Sequence, residues 1–134
     1  MSSVAGSWIR ALRIIPRLGK DGFDRLDPVS RWRIASRAAV LPLSFLSVVI
    51  GGLLALLYGA FDLLLFILVA AGLLLAHAAI TLFNDLFDYR QGVDGNNYFR
   101  ARYGPQPIVS GLLTEGELLR WELLTASGAL AIGT

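Results

Sequence analysis

The sequence predicts an all-α protein, a polytopic transmembrane helical bundle with two complete spans, an N-terminal interfacial helix and the start of a third span. Three observations carry that prediction. The 134 residues are 55% hydrophobic and 16% charged, against about 45–50% and about 25% in an ordinary soluble domain. A soluble fold of this size buries only ~60–70% of its unfolded surface and has nowhere to hide so much apolar side chain. Two uncharged or nearly uncharged runs follow one another, and the basic residues lie only on one side of the pair. The absence of cysteine excludes disulfide scaffolds, thiolate metal sites and cysteine nucleophiles.

Residues 1–37 form a basic cytoplasmic or interfacial arm. It holds eight Lys and Arg residues (Arg10, Arg13, Arg17, Lys20, Arg25, Arg31, Arg33 and Arg37) against Asp21, Asp24 and Asp27, a net charge of +5. A basic segment ahead of apolar runs points to an anionic lipid surface, not to nucleic acid. Trp8, Leu12 and Ile15 share one helical face and Arg10, Arg13 and Arg17 another, with Pro16 ending the helix, so the segment is expected to lie on the inner leaflet. The three aspartates alternate with Lys20 and Arg25 and read as a solvated, self-paired face.

Residues 38–134 read as the N-terminal part of a transmembrane domain. Ala38–Tyr58 and Leu63–Phe83 are 21 residues each, and at ~1.5 Å per residue each crosses a hydrocarbon core of about 30 Å. Only His77 is ionisable within them. The turn at 59–62 lacks Lys and Arg, whereas the arm before and the loop after (Arg90, Arg100, Arg102) are basic. By the positive-inside rule both belong in the cytoplasm and the spans form a hairpin. Leu123–Thr134, 12 residues, is too short to cross and reads as the start of a further span in a longer protein. Thr114-x-x-Glu117 is a capping box that starts that helix. Gly51, Gly52 and Gly59 permit close helix packing.

The chemistry gathers at the end of span two, Asn84-Asp85-Leu86-Phe87-Asp88-Tyr89-Arg90-Gln91-Gly92-Val93-Asp94. His77, Thr81, Asn84 and Asp88 make one polar stripe, expected to face the bundle interior because polar groups are costly in lipid. Gly92 can end the helix in a left-handed cap and return Asp94 toward the other acids. Clustered carboxylates repel unless a cation sits among them, and their oxygens suit Mg²⁺. Asp85, Asp88 and Asp94 are therefore candidate metal ligands. Asn84, Arg90, Arg100 and Arg102 are candidate diphosphate contacts. The alternatives are a solvated helix end without ligand and, for Arg100 and Arg102, plain topology anchoring.

The run NDLFDYRQGVD resembles the first aspartate-rich motif of the UbiA superfamily of intramembrane prenyltransferases, N-D-x-x-D. With the later acid, N-D-x-x-D-x-x-x-G-x-D, it is most similar to the branch that prenylates 1,4-dihydroxy-2-naphthoate in menaquinone synthesis. Arg37, Pro42 and Ile50–Ala55 upstream, and Arg102-Tyr103-Gly104-Pro105 with Ser110–Thr114 downstream, are similar to the flanking family segments. The resemblance implies a bundle of about nine helices in a bacterial or archaeal cell membrane, with an apolar tunnel for the isoprenoid tail. It further implies Mg²⁺-dependent transfer of an isoprenyl group from an allylic prenyl diphosphate to an aromatic acceptor. Asp85 and Asp88 would be the catalytic acids. A second acidic motif, expected several helices later, does not occur in these residues, so they are not expected to be catalytic alone. Other readings stand beside this one: a different acceptor (4-hydroxybenzoate, haem or a lipid), or a hairpin membrane protein with no activity. Gln106 departs from relatives with a basic residue after Gly-Pro.

Overall fold

The computed structural model describes residues 19–93 and 106–134. Among the described residues it contains five α-helices and no strand: α1 (Lys20–Asp24), α2 (Pro28–Ala35), α3 (Leu41–Leu57), α4 (Leu63–Arg90) and α5 (Glu115–Gly133), with a 3₁₀ turn at Ala38–Val40 leading into α3. The expected arm helix on Trp8, Leu12 and Ile15 lies outside the described residues.

Each helix starts where local chemistry directs it. Asp27 caps α2 by accepting from the Ser30 N–H (3.0 Å) and the Ser30 hydroxyl (2.6 Å), and Pro28 sits at the first helical position. Those bonds, the side-chain one first, hold the Asp27 carboxyl below its ordinary value. Asp62 caps α4 by accepting from the Leu65 N–H at 2.8 Å, after a turn in which Gly59 takes φ 67°. The capping box of α5 is complete: Thr114 accepts from the Glu117 N–H, and Glu117 accepts from the Thr114 N–H at 2.8 Å. The Thr114 N–H first, and then its hydroxyl, hold the Glu117 carboxyl below its ordinary value. This contribution is present at neutral pH and is lost as pH falls through that lowered value.

The arm does not stand apart. Lys20 and Arg31 approach Asp24 at 3.9 and 4.0 Å, the loose self-pairing expected of a solvated face. Phe23 turns inward with Ile34 and Ala35 to meet Leu82 and Leu86 of α4, Leu112 and Leu113, and Leu118 of α5. Trp32 donates its indole N–H to the Thr125 hydroxyl at 2.9 Å, and the Lys20 ammonium reaches the Leu112 carbonyl at 3.4 Å. The buried core therefore sits at one end of the hairpin, beneath the acidic motif.

α3 and α4 run antiparallel, with rungs at Arg37–Asp85 and Ser44–His77 and at Gly52, where an added Cβ would lie 2.6 Å from Phe66 Cε2. α4 and α5 are antiparallel too: a Cβ at Gly72 would lie 3.3 Å from Ile132 Cγ2, and one at Gly128 3.6 Å from Leu75 Cδ1. Along the spans the large apolar side chains remain uncovered, with Leu57 81%, Leu64 67% and Leu124 67% exposed. Side chains like these need lipid or neighbouring helices around them.

The arm and residues 106–113 lie at one end of the hairpin and the 59–62 turn at the other. Because the chain has no cysteine, single-cysteine variants report topology directly. Val29→Cys and Ser110→Cys are expected to label from the same face of oriented vesicles, and Ala60→Cys from the opposite face. Labelling of positions 29 and 110 from opposite faces would refute the hairpin.

Candidate functional site

α4 is 28 residues long, about 42 Å at ~1.5 Å per residue, so it outruns a hydrocarbon core of about 30 Å. The excess places 84–90 beyond the apolar region. The helix ends at Gly92 (φ 69°), where Val93 N–H donates to Asp88 O and Gly92 N–H to Tyr89 O, both at 3.0 Å. This is a Schellman end with its glycine in the left-handed position. Asp94, whose return toward the acids was expected, lies outside the described residues, as do Arg100 and Arg102.

The motif divides between two faces. Ala78, Leu82, Asp85 and Leu86 form the buried face of α4. Asn84 is exposed and Asp88 half-buried, one turn apart on the neighbouring face. The polar stripe is therefore a face by register, but among the described residues it is not the covered one. Its members are served locally: the Thr81 hydroxyl donates to the His77 carbonyl at 3.0 Å, and the His77 ring meets the Ser44 hydroxyl across the hairpin. His77 is thus held between the two spans, with nothing about it that marks a base.

Asp85 is the deepest group of the motif, 3% exposed. Its Oδ1 accepts from an Arg37 guanidinium N–H at 2.5 Å, between side chains 2% and 20% exposed. Arg37 adopts φ 52°, ψ 48°, a left-handed conformation that costs a non-glycine residue about 1–2 kcal/mol. On its other side Asp85 shares a tight recess with Tyr89 and with Gln106, Pro107, Ile108 and Val109. Gln106 is itself 5% exposed, so it belongs to this cover and not to an open phosphate-binding surface. Removing one partner of such a pair strands a buried charge, a loss of about 3–5 kcal/mol.

Arg90 reaches Glu115 at 2.5 Å, tying the end of α4 to the start of α5. Both side chains are about half-exposed, and exposed pairs are worth roughly 0–1 kcal/mol. That is too little to hold Arg90 against a diphosphate.

A divalent cation asks for several hard oxygen donors at one place. Among the described residues no three acidic or imidazole side chains gather closely enough to supply them. Asn84 and Asp88 fit such an ion by donor type and accessibility. Asp85 has the same donor type but is covered, with its Oδ1 bonded to Arg37. Arg37 is the residue whose part sequence reasoning missed; a hairpin register drawn outward from the 59–62 turn would have set it opposite Asp85.

These features define a helical, polytopic membrane protein with an amide and acids at the mouth of a span. The sequence matches the UbiA prenyltransferase family over residues 44–134, and the chain belongs to that family. The family's members act on a prenyl diphosphate and an acceptor within the membrane, and generally depend on a divalent metal. Comparison with curated proteins and with solved structures gave no match.

Proposed function

We propose that this protein transfers an isoprenyl group from an allylic prenyl diphosphate to 1,4-dihydroxy-2-naphthoate in quinone biosynthesis, with its acid-bearing mouth on the cytoplasmic side. The observation that carries the reading is the run Asn84–Asp94 at the mouth of the second span, with Asn84 and Asp88 on the open face. Asn84 and Asp88, with Asp94, would hold Mg²⁺, which when bound supplies charge neutralisation of the diphosphate leaving group. The Asn84 amide can donate to a diphosphate oxygen. Arg90, once released from Glu115, and Arg100 and Arg102 are the cations that would balance the remaining phosphate charge. The allylic C–O bond breaks, the electron pair leaves with the diphosphate, and a ring carbon of the acceptor supplies the electrons of the new C–C bond. Loss of the acceptor carboxylate as CO₂ then restores the ring. Apolar walls around the allylic cation keep water from capturing it.

The test is turnover of the full-length protein in nanodiscs with a radiolabelled allylic diphosphate, offered 1,4-dihydroxy-2-naphthoate or 4-hydroxybenzoate. Product with the naphthoate alone, abolished by EDTA and restored by Mg²⁺, is expected. Transfer confined to 4-hydroxybenzoate would overturn the acceptor assignment while leaving the class of reaction intact.

A further inference from the structure

Asp85, the first acid of the motif, faces Arg37. We propose that Arg37 and Asp85 form an anchoring ion pair that docks the N-terminal arm on the second span and fixes the direction in which Asn84 and Asp88 present their oxygens. Arg37 is then a positioning residue for diphosphate binding, and Asp85 is an anchor and not a ligand. The inference rests on the prenyl-transfer reading above.

The geometry around Asp85 favours the anchoring role. Its carboxylate is 2% exposed and bonded at 2.5 Å, between Arg37 on one side and the segment 106–109 on the other. Rolling α4 far enough to expose it would carry Leu82 and Leu86, on the same face, out of their contacts with Phe23 and Leu118. Asn84 and Asp88 are already outside that core. Asn84 and Asp85 are consecutive, about 100° apart around the helix, so the pair that holds Asp85 inward is also what aims Asn84 outward.

Arg37 shows the same constraint from its own side. It is the only non-glycine residue with positive φ among the described residues, at the bend where α2 hands over to α3. The left-handed turn is held against its intrinsic preference, and it places the guanidinium beside α4. This residue also lies upstream of the stretch that matches the family, which starts at Ser44. The docked arm is therefore a feature read from this chain's own packing.

The experiment uses the full-length protein in nanodiscs with four variants: Arg37→Ala, Asp85→Asn, the double variant Arg37→Gln/Asp85→Asn, and Asp88→Asn. Two quantities are read: prenyl transfer as a function of Mg²⁺, and the rate of tryptic cutting after Arg25, Arg31 and Arg33. Each single change at 37 or 85 should slow transfer about tenfold or more and speed cutting about tenfold, because one buried charge is stranded. The neutral double variant should recover to within about fivefold of the parent on both measures, the signature of coupled residues. The Mg²⁺ concentration for half-maximal rate should stay unchanged in these three, whereas Asp88→Asn should lose transfer with the arm still protected. A tenfold higher Mg²⁺ requirement in Asp85→Asn, with the arm protected and no recovery in the double variant, would make Asp85 a ligand and overturn the proposal. Should the parent transfer no prenyl group to any acceptor, the functional reading fails. The tryptic measurement still decides whether the pair docks the arm.

Discussion

Asp88→Ala is expected to lower prenyl transfer by about a thousandfold or more while leaving insertion and helix content unchanged. Asp88 stands half-buried on the open face, one turn from Asn84 and outside the core. Truncation removes its carboxylate and none of the apolar side chains of the buried core. The helix-ending bond from the Val93 N–H goes to its backbone carbonyl and survives the change. What is lost is a carboxylate that would hold the metal balancing the diphosphate leaving group, stabilisation worth several kcal/mol in the transition state, and each ~1.4 kcal/mol is tenfold in rate. Asp88→Asn should be nearly as damaging, since the amide keeps shape but not charge. Arg102→Ala should be milder and appear mainly as a raised KM for the prenyl diphosphate. Turnover with an allylic diphosphate and dihydroxynaphthoate, beside circular dichroism of the same preparations, measures both halves of the expectation. Near-normal rates in Asp88→Ala would sink the assignment of this cluster as the diphosphate site.

The spans, their hairpin and the family were legible in the sequence because lipid imposes a simple rule on composition. An uncharged run as long as the hydrocarbon is thick can cross it without stranding a charge. Two of the caps were legible for a similar reason: Thr114 with Glu117, and Gly92, act on backbone groups within a few residues of themselves. Less visible was the division of the acids. Asn84, Asp85 and Asp88 are close in sequence, but a helix turns about 100° per residue, so neighbours in the motif look in different directions. Which direction is inward depends on Phe23, Leu112 and Leu118, which come from three other segments. The arm shows the same limit. Its charge suggests a solvated face, yet among its described residues Phe23, Ile34 and Ala35 supply enough apolar surface to dock it on α4 and α5. Local periodicity in helices as short as α1 and α2 carries almost no signal.

Phe23→Ala is expected to undock the arm while the spans stay in the membrane. Phe23 is fully buried, at 0% exposure, among Leu82, Leu86, Leu112, Leu113 and Leu118. It is the largest side chain that α1 contributes to that core, and α1 is only five residues long, too short to hold itself together without tertiary contacts. Deleting the ring of a buried phenylalanine costs about 3–5 kcal/mol. A loss of that size would speed amide exchange across Lys20–Ala35 by about a hundredfold or more. α3 and the first half of α4 make none of these contacts, so their protection should not change. Val29→Ala is the control: Val29 is 49% exposed, and its truncation should shift exchange by about 0.5 kcal/mol or less. Because the arm carries Arg37 to Asp85, prenyl transfer should fall along with arm protection in Phe23→Ala. Hydrogen exchange in nanodiscs with and without the substitution separates the outcomes. Full protection of Lys20–Ala35 in Phe23→Ala would show that the arm is held by something other than this core, and the link from arm to site would lose its structural basis.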